Sequence, residues 1–90
     1  YKESKKWLKL SANMGNVKAQ FSLGGHYMYG GEGFLKDYVL AHKWYNVAMA
    51  NGDRMARHFI EHLEGGMMQP YQIAEAQRLA REWMEKQGDF

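Results

Sequence analysis

Cysteine is absent from this sequence, so neither a disulfide framework nor a thiolate metal site can be built from it. Proline occurs once, at Pro70, which leaves long stretches without a helix breaker. No apolar run approaches the ~20 residues that a membrane-spanning helix needs. The formal net charge of +2 is too small for the electrostatic footprint of a nucleic-acid binder. No stretch alternates apolar and polar residues as a half-buried strand does. No serine–histidine–acid or cysteine–histidine set stands out, and the carboxylates are scattered. Lys36 and the loop "YGGEGF" lack the spacing of a phosphate-binding loop. The chain opens on Tyr1 rather than methionine, and we expect it to be a fragment or a processed form.

The residues that are present describe a folded, helical chain. Ninety residues, 46% of them hydrophobic, suffice for one domain with a modest core. Three tryptophans, six tyrosines, four phenylalanines and seven methionines argue against disorder. Apolar spacing predicts five helices, over roughly 2–14, 17–29, 38–50, 54–63 and 70–87. Gly15 and Gly52 can take the left-handed conformation that closes a helix. Asn16 and Asp53 follow at once and can cap the next helix, as Asp37 can before Tyr38. Pro70 suits a first helical turn, where its missing N–H costs nothing.

The helices are related to one another. Trp7, Leu8, Ser11 and Ala12 precede Gly15 as Trp44, Tyr45, Ala48 and Met49 precede Gly52, a shift of 37 residues. The same shift carries Ala19 onto Ala56 and Leu23 onto Ile60. Leu79, Ala80, Trp83 and Met84 form a third copy 35 residues beyond the second. Such periods mark arrays in which one helix pair cannot bury its apolar face alone and stacks on its neighbours. Ala19, Gly24, Ala48 and Ala56 would permit close helix approach. Trp7, Trp44 and Trp83 would fill the space between layers.

Residues 19–53, "AQFSLGGHYMYGGEGFLKDYVLAHKWYNVAMANGD", resemble the Sel-one-like repeat, a relative of the tetratricopeptide repeat. Ala19, Leu23, Gly24, Tyr27 and Gly30 match the first helix of its pattern. Gly33, Asp37, Ala41, Trp44, Tyr45, Ala48 and Gly52 match the loop and second helix. Residues 2–14 look like the second helix of a preceding unit, about 17–50 like a complete repeat, and about 54–87 like a degenerate terminal one. Departures concentrate in the last unit, where Glu61 replaces a pattern glycine, Glu64 replaces a tyrosine, and "GGMMQP" replaces the loop. The resemblance implies an all-α fold, a right-handed α/α solenoid of about two helix-pair repeats plus a preceding helix. It implies a non-enzymatic adaptor or scaffold that binds another protein or peptide and needs no cofactor. In the family's bacterial members it implies a periplasmic or secreted setting. The family's cysteine-rich branch is not supported, because this chain has no cysteine.

By analogy with tetratricopeptide arrays, the first helix of each pair lines the groove. Phe21, Gly25, Met28 and Tyr29, with Lys18, would face it from one helix, and Met55, His58 and His62 from the next. Exposed aromatic and methionine side chains beside a groove suit partner recognition. The alternative is that Phe21, Met28 and Tyr29 pack against a neighbouring repeat. Lys2, Lys5, Lys6 and Lys9 fall on one stripe of the first helix; the stripe could attract an acidic partner or a phospholipid surface, but reads better as a solvated face, with Trp7, Leu8 and Ser11 on the buried side.

One stretch points to a different chemistry. "HFIEH", residues 58–62, matches the H-x-x-E-H pattern of one class of zinc peptidases. His58 and His62 would share a helix face, with Glu61 as the general base of a metal-dependent hydrolase. No third ligand is evident, and a metallopeptidase needs one. His26 and His42 lie on other segments, and nothing in the sequence brings them to a metal. Ile60 between the histidines takes the place of the repeat's core leucine, so the array position largely explains the match. A third reading is that the segment only caps a longer array.

Overall fold

A computed structural model describes residues 2–31 and 33–88, apart from the side chain of Lys2. Five α-helices form: α1 Lys2–Asn13, α2 Val17–Tyr29, α3 Tyr38–Ala50, α4 Ala56–Glu64 and α5 Pro70–Gly88. No strand occurs among the described residues, so the chain is all-α. The boundaries follow local chemistry. Gly15 and Gly52, at φ +98° and +106°, turn the chain at equivalent places after α1 and α3. Asn16 accepts from the Ala19 N–H at 2.9 Å, and Asp37 accepts from the Leu40 N–H at 3.1 Å. Asp53 Oδ1 accepts from the N–H groups of both Met55 and Ala56, at 2.8 and 3.0 Å. That turn delays α4 to Ala56, two residues later than expected. Pro70 opens α5, and Gln72 Oε1 reaches back to the Gln69 N–H at 2.8 Å, half of a capping box.

The third helix is the hub. It packs against α2, α4 and α5, while α1 packs on α2. The α2–α3 contact is close because of Gly24: a Cβ there would lie 2.9 Å from two carbons of the Tyr45 ring. Ala19 and Ala56, and Leu23 and Ile60, the pairs 37 residues apart, are all buried. Ala76 and Ala80, both buried, form a small-residue stripe that lets α5 settle on its neighbours. Trp83 of α5 meets Trp44 edge-on at 5.7 Å, and its indole N–H donates to Asn13 Oδ1 at 2.8 Å. The molecule measures 32 × 32 × 22 Å, and α5 lies back over α3 to reach the end of α1.

Two buried polar side chains join these helices. Gln20 donates to the Ala12 carbonyl at 3.0 Å and accepts from Asn51 Nδ2 at 3.0 Å, linking α1, α2 and the end of α3. His42 lies between Asn46 and Glu64, with both ring nitrogens bonded at 2.7 Å. Asn46 Nδ2 also donates to the His42 carbonyl at 3.1 Å. The amide nitrogen is therefore the donor to Nδ1, and Nε2–H donates to Glu64.

The first helix is rotated relative to expectation. Trp7 is 69% exposed instead of filling an inter-layer space. Lys5 turns inward instead: its ammonium sits 5.1 Å above the Phe34 ring and donates to the Gly33 carbonyl at 3.1 Å. A lysine can bury its hydrocarbon stem and keep its charged end bonded, so Lys5 joins Leu8, Ser11 and Ala12 on the inward side. The lysines of α1 are accordingly not one solvated stripe. Lys6 and Lys9 are exposed, Lys5 is not, and the Lys2 side chain lies outside the described residues.

Candidate functional site

A surface depression of about 560 Å³ lies between the end of α2 and the middle of α4, lined by Tyr29, His58, Phe59, Glu61 and His62. It brings together three of the residues expected to face a groove: Tyr29, His58 and His62. His58 and His62 stand four apart on α4 and are exposed, as their spacing predicts. Tyr29 is the last residue of α2 and is 66% exposed. Glu61 pairs with Arg57 at 3.4 Å on the same helix. Both partners are largely exposed, so the pair contributes little to stability.

The floor is aromatic. Phe59 stacks on Tyr45 at 5.1 Å with the ring planes 12° apart. Phe21 meets both rings edge-on, at 5.4 Å from Tyr45 and 5.5 Å from Phe59. Phe21 is half-buried, packed against the core beneath the depression, and does not line it. Met28 is corrected in the same way. It is 2% exposed, and its sulfur accepts a long bond from the Tyr45 hydroxyl at 3.9 Å. Burial pushes the Tyr45 phenol up to about 12, with a smaller contribution from the charge of nearby Tyr29. Gly25 is half-buried, with the Tyr45 hydroxyl 3.5 Å from where its Cβ would be, and it does not line the depression. Met55 is exposed at the foot of α4, outside the lining.

Phe59 is the lining residue that the sequence did not flag. The signal was present: Phe59 lies three positions after Ala56, the residue that sets the register of α4, and adjoins Ile60 of the core. Such a residue sits at the edge of a buried face.

Among the described residues, no three His, Cys, Asp or Glu side chains converge as a metal centre would require. His58, Glu61 and His62 share one helix without a third ligand from another element. His42 is engaged with Asn46 and Glu64, and His26 stacks on Phe34 at 5.0 Å. Among the described residues, no helix is long and apolar enough to cross a membrane.

No family model and no solved structure matches the chain. Over 65 residues it is 37% identical to the chitin synthase regulator SKT5 of Saccharomyces cerevisiae, a match that takes in 72% of this chain. The chain spans 9% of that protein's length.

Proposed function

We propose that this chain is part of a Sel-one-like repeat array, a right-handed α/α solenoid, and that it works as a non-enzymatic module binding another protein or peptide. The observation that carries this reading is the depression over the Phe21–Tyr45–Phe59 cluster. It sits between α2 and α4, the helices that the repeat register makes successive first helices, and gathers Tyr29, His58 and His62. Aromatic floor, imidazole walls and a tyrosine rim are the side-chain types that anchor interfaces. Similarity to part of a protein named as a regulator is in keeping with action by contact.

The test is partner capture by the full-length protein and by its Tyr29→Ala/His62→Ala variant. The variant should lose most of the captured partner while its melting temperature stays within ~2 °C, because both side chains are exposed. Undiminished capture would end the proposal for this surface. Metal analysis of protein purified without added zinc separates the hydrolase alternative. Near-stoichiometric metal that disappears in His58→Ala would replace the binding module with a metal site.

A further inference from the structure

Asn51 and Gly52, where α3 ends, form the only asparagine–glycine pair in the sequence. Asparagine is a chemically labile residue, and a following glycine makes it most so. The next amide nitrogen can attack the side-chain Cγ, and glycine puts no Cβ in the way. The pair lies in the interior of the chain, between α3 and α4, and both residues are exposed to water. The equivalent turn after α1 carries Met14 before Gly15, with no side-chain amide to react.

Three features hold the pair away from that reaction. Asn51 Nδ2 donates to Gln20 Oε1 at 3.0 Å, which draws the side chain across to α2. Gln20 is itself fully buried, with its own amide committed to the Ala12 carbonyl at 3.0 Å. The Gly52 N–H donates to the Met49 carbonyl at 3.1 Å, so the attacking nitrogen is engaged. Ring closure also requires that nitrogen to eclipse Cβ of Asn51 about the Cα–C bond. With ψ at 11° it nearly eclipses the backbone nitrogen of Asn51 instead. Reaction therefore waits on local opening of the helix end.

The product does not fit the joint. A carboxylate has no hydrogen to give, so two acceptors would face each other at Gln20 Oε1. Turning the Gln20 amide over would restore that bond and set Oε1 against the Ala12 carbonyl. Either way a buried acceptor loses its donor where α1, α2 and the end of α3 meet.

We propose that Asn51 is a site of spontaneous deamidation, gated by its bond to Gln20, and that the change irreversibly loosens the junction of α1, α2 and α3. Hydroxide takes the Gly52 amide proton as that nitrogen bonds to Cγ. The Cγ–Nδ2 bond then breaks, and ammonia leaves with a proton from water. A second water opens the cyclic imide at either carbonyl, giving aspartate or isoaspartate, with no change of oxidation state. The modification records how long the joint has stood open. It involves neither Tyr29 nor the histidines of the depression, so it stands apart from the binding surface.

The folded chain and its variants are held at neutral pH and body temperature, and mass spectrometry of proteolytic fragments follows Asn51. A peptide of residues 47–56 gives the ungated rate. The folded chain reacts at Asn51 at least about tenfold more slowly than the peptide. Gln20→Leu, which frees the Asn51 side chain, reacts at least about threefold faster than the wild type. Phe21→Ala, of similar destabilising effect, leaves the Asn51 bond in place and changes the rate little. Asn51→Asp, which carries the product's carboxylate, lowers the melting temperature by roughly 4–8 °C. Circular dichroism confirms that each variant is folded. Equal rates for folded chain and peptide overturn the proposal, as does an Asn51 that stays intact in both wild type and Gln20→Leu. Equal acceleration by Gln20→Leu and Phe21→Ala overturns the gate and assigns the reaction to global unfolding. An Asn51→Asp chain as stable as the wild type overturns the loosening, and this comparison stands even where Gln20→Leu does not fold.

Discussion

Two adjacent glycines in α2 should respond to the same substitution with opposite signs. Replacing glycine by alanine inside a helix ordinarily stabilises it by about 0.8–1.0 kcal/mol, because alanine has less backbone freedom to lose. At Gly24 the new Cβ would lie 2.9 Å from Tyr45 Cδ1 and Cε1 and 3.1 Å from Cγ. The ring has little room to retreat. It is 1% exposed, stacked on Phe59 and flanked by Phe21, with its hydroxyl on the Met28 sulfur. Overpacking against a pinned ring costs about 2–3 kcal/mol, toward the upper part of the usual range. The cost exceeds the propensity gain, and Gly24→Ala should destabilise by about 1–2 kcal/mol. For a domain of this size that lowers the melting temperature by roughly 5–15 °C. At Gly25 the nearest atom outside the helix backbone is the Tyr45 hydroxyl oxygen at 3.5 Å, an ordinary contact. Propensity then acts alone, and Gly25→Ala should raise the melting temperature by roughly 4 °C. Thermal unfolding followed by circular dichroism at 222 nm reads both variants. If both shift in the same direction, the close α2–α3 approach over Tyr45 is wrong.

Three further outcomes follow from the same packing. Phe21→Ala should destabilise by about 2–3 kcal/mol in urea unfolding, since it removes a ring wedged against Tyr45 and Phe59. Gln20→Leu should cost about 1–3 kcal/mol, because it strands the Ala12 carbonyl of a buried bond, while the exposed Asn51 amide turns to water; thermal unfolding measures it. Tyr45 sets an alkaline limit. Its phenol is raised in the folded state from about 10 to about 12, so the folded state holds the proton more tightly. That contribution is complete below pH ~10 and is lost as the pH rises toward 12, at about 1.4 kcal/mol per unit. Urea midpoints between pH 9 and 12 should fall in the wild type and flatten in Tyr45→Phe.

Much of the fold was legible because its boundaries are written in single residues. Gly15, Gly52, Asn16, Asp37 and Pro70 each act within one turn of themselves, and all lie at the ends they predict. The 37-residue shift in the sequence located Leu23, Ile60, Ala19 and Ala56 in the core for a similar reason: one spacing relates both pairs. What escaped depends on contacts between distant segments. Lys5 turned inward because Phe34 and the Gly33 carbonyl, nearly 30 residues away, receive its charged end, whereas Trp7 reads as core in any local pattern. Gln20 and His42 are buried through partners, Asn51 and Glu64, that lie 31 and 22 residues away, beyond the reach of any local pattern. At the candidate site, the exposed edge of α4 was readable from His58 and His62. The division between Met28 and its neighbour Tyr29 was not. It turns on whether Tyr45 reaches that end of α2, and only the α2–α3 packing decides that.

The contact between Trp83 and Asn13 has a kinetic consequence. Helices α1 to α4 meet mainly as chain neighbours, which favours early assembly through short loops. The bond from α5 to α1 closes a separation of 70 residues, so its entropic cost falls late in folding. Interactions absent from the transition state act on the unfolding rate and leave the folding rate nearly untouched. The indole that lies back over the first helix should therefore act as a latch on the finished molecule, slowing its unfolding without hastening its formation.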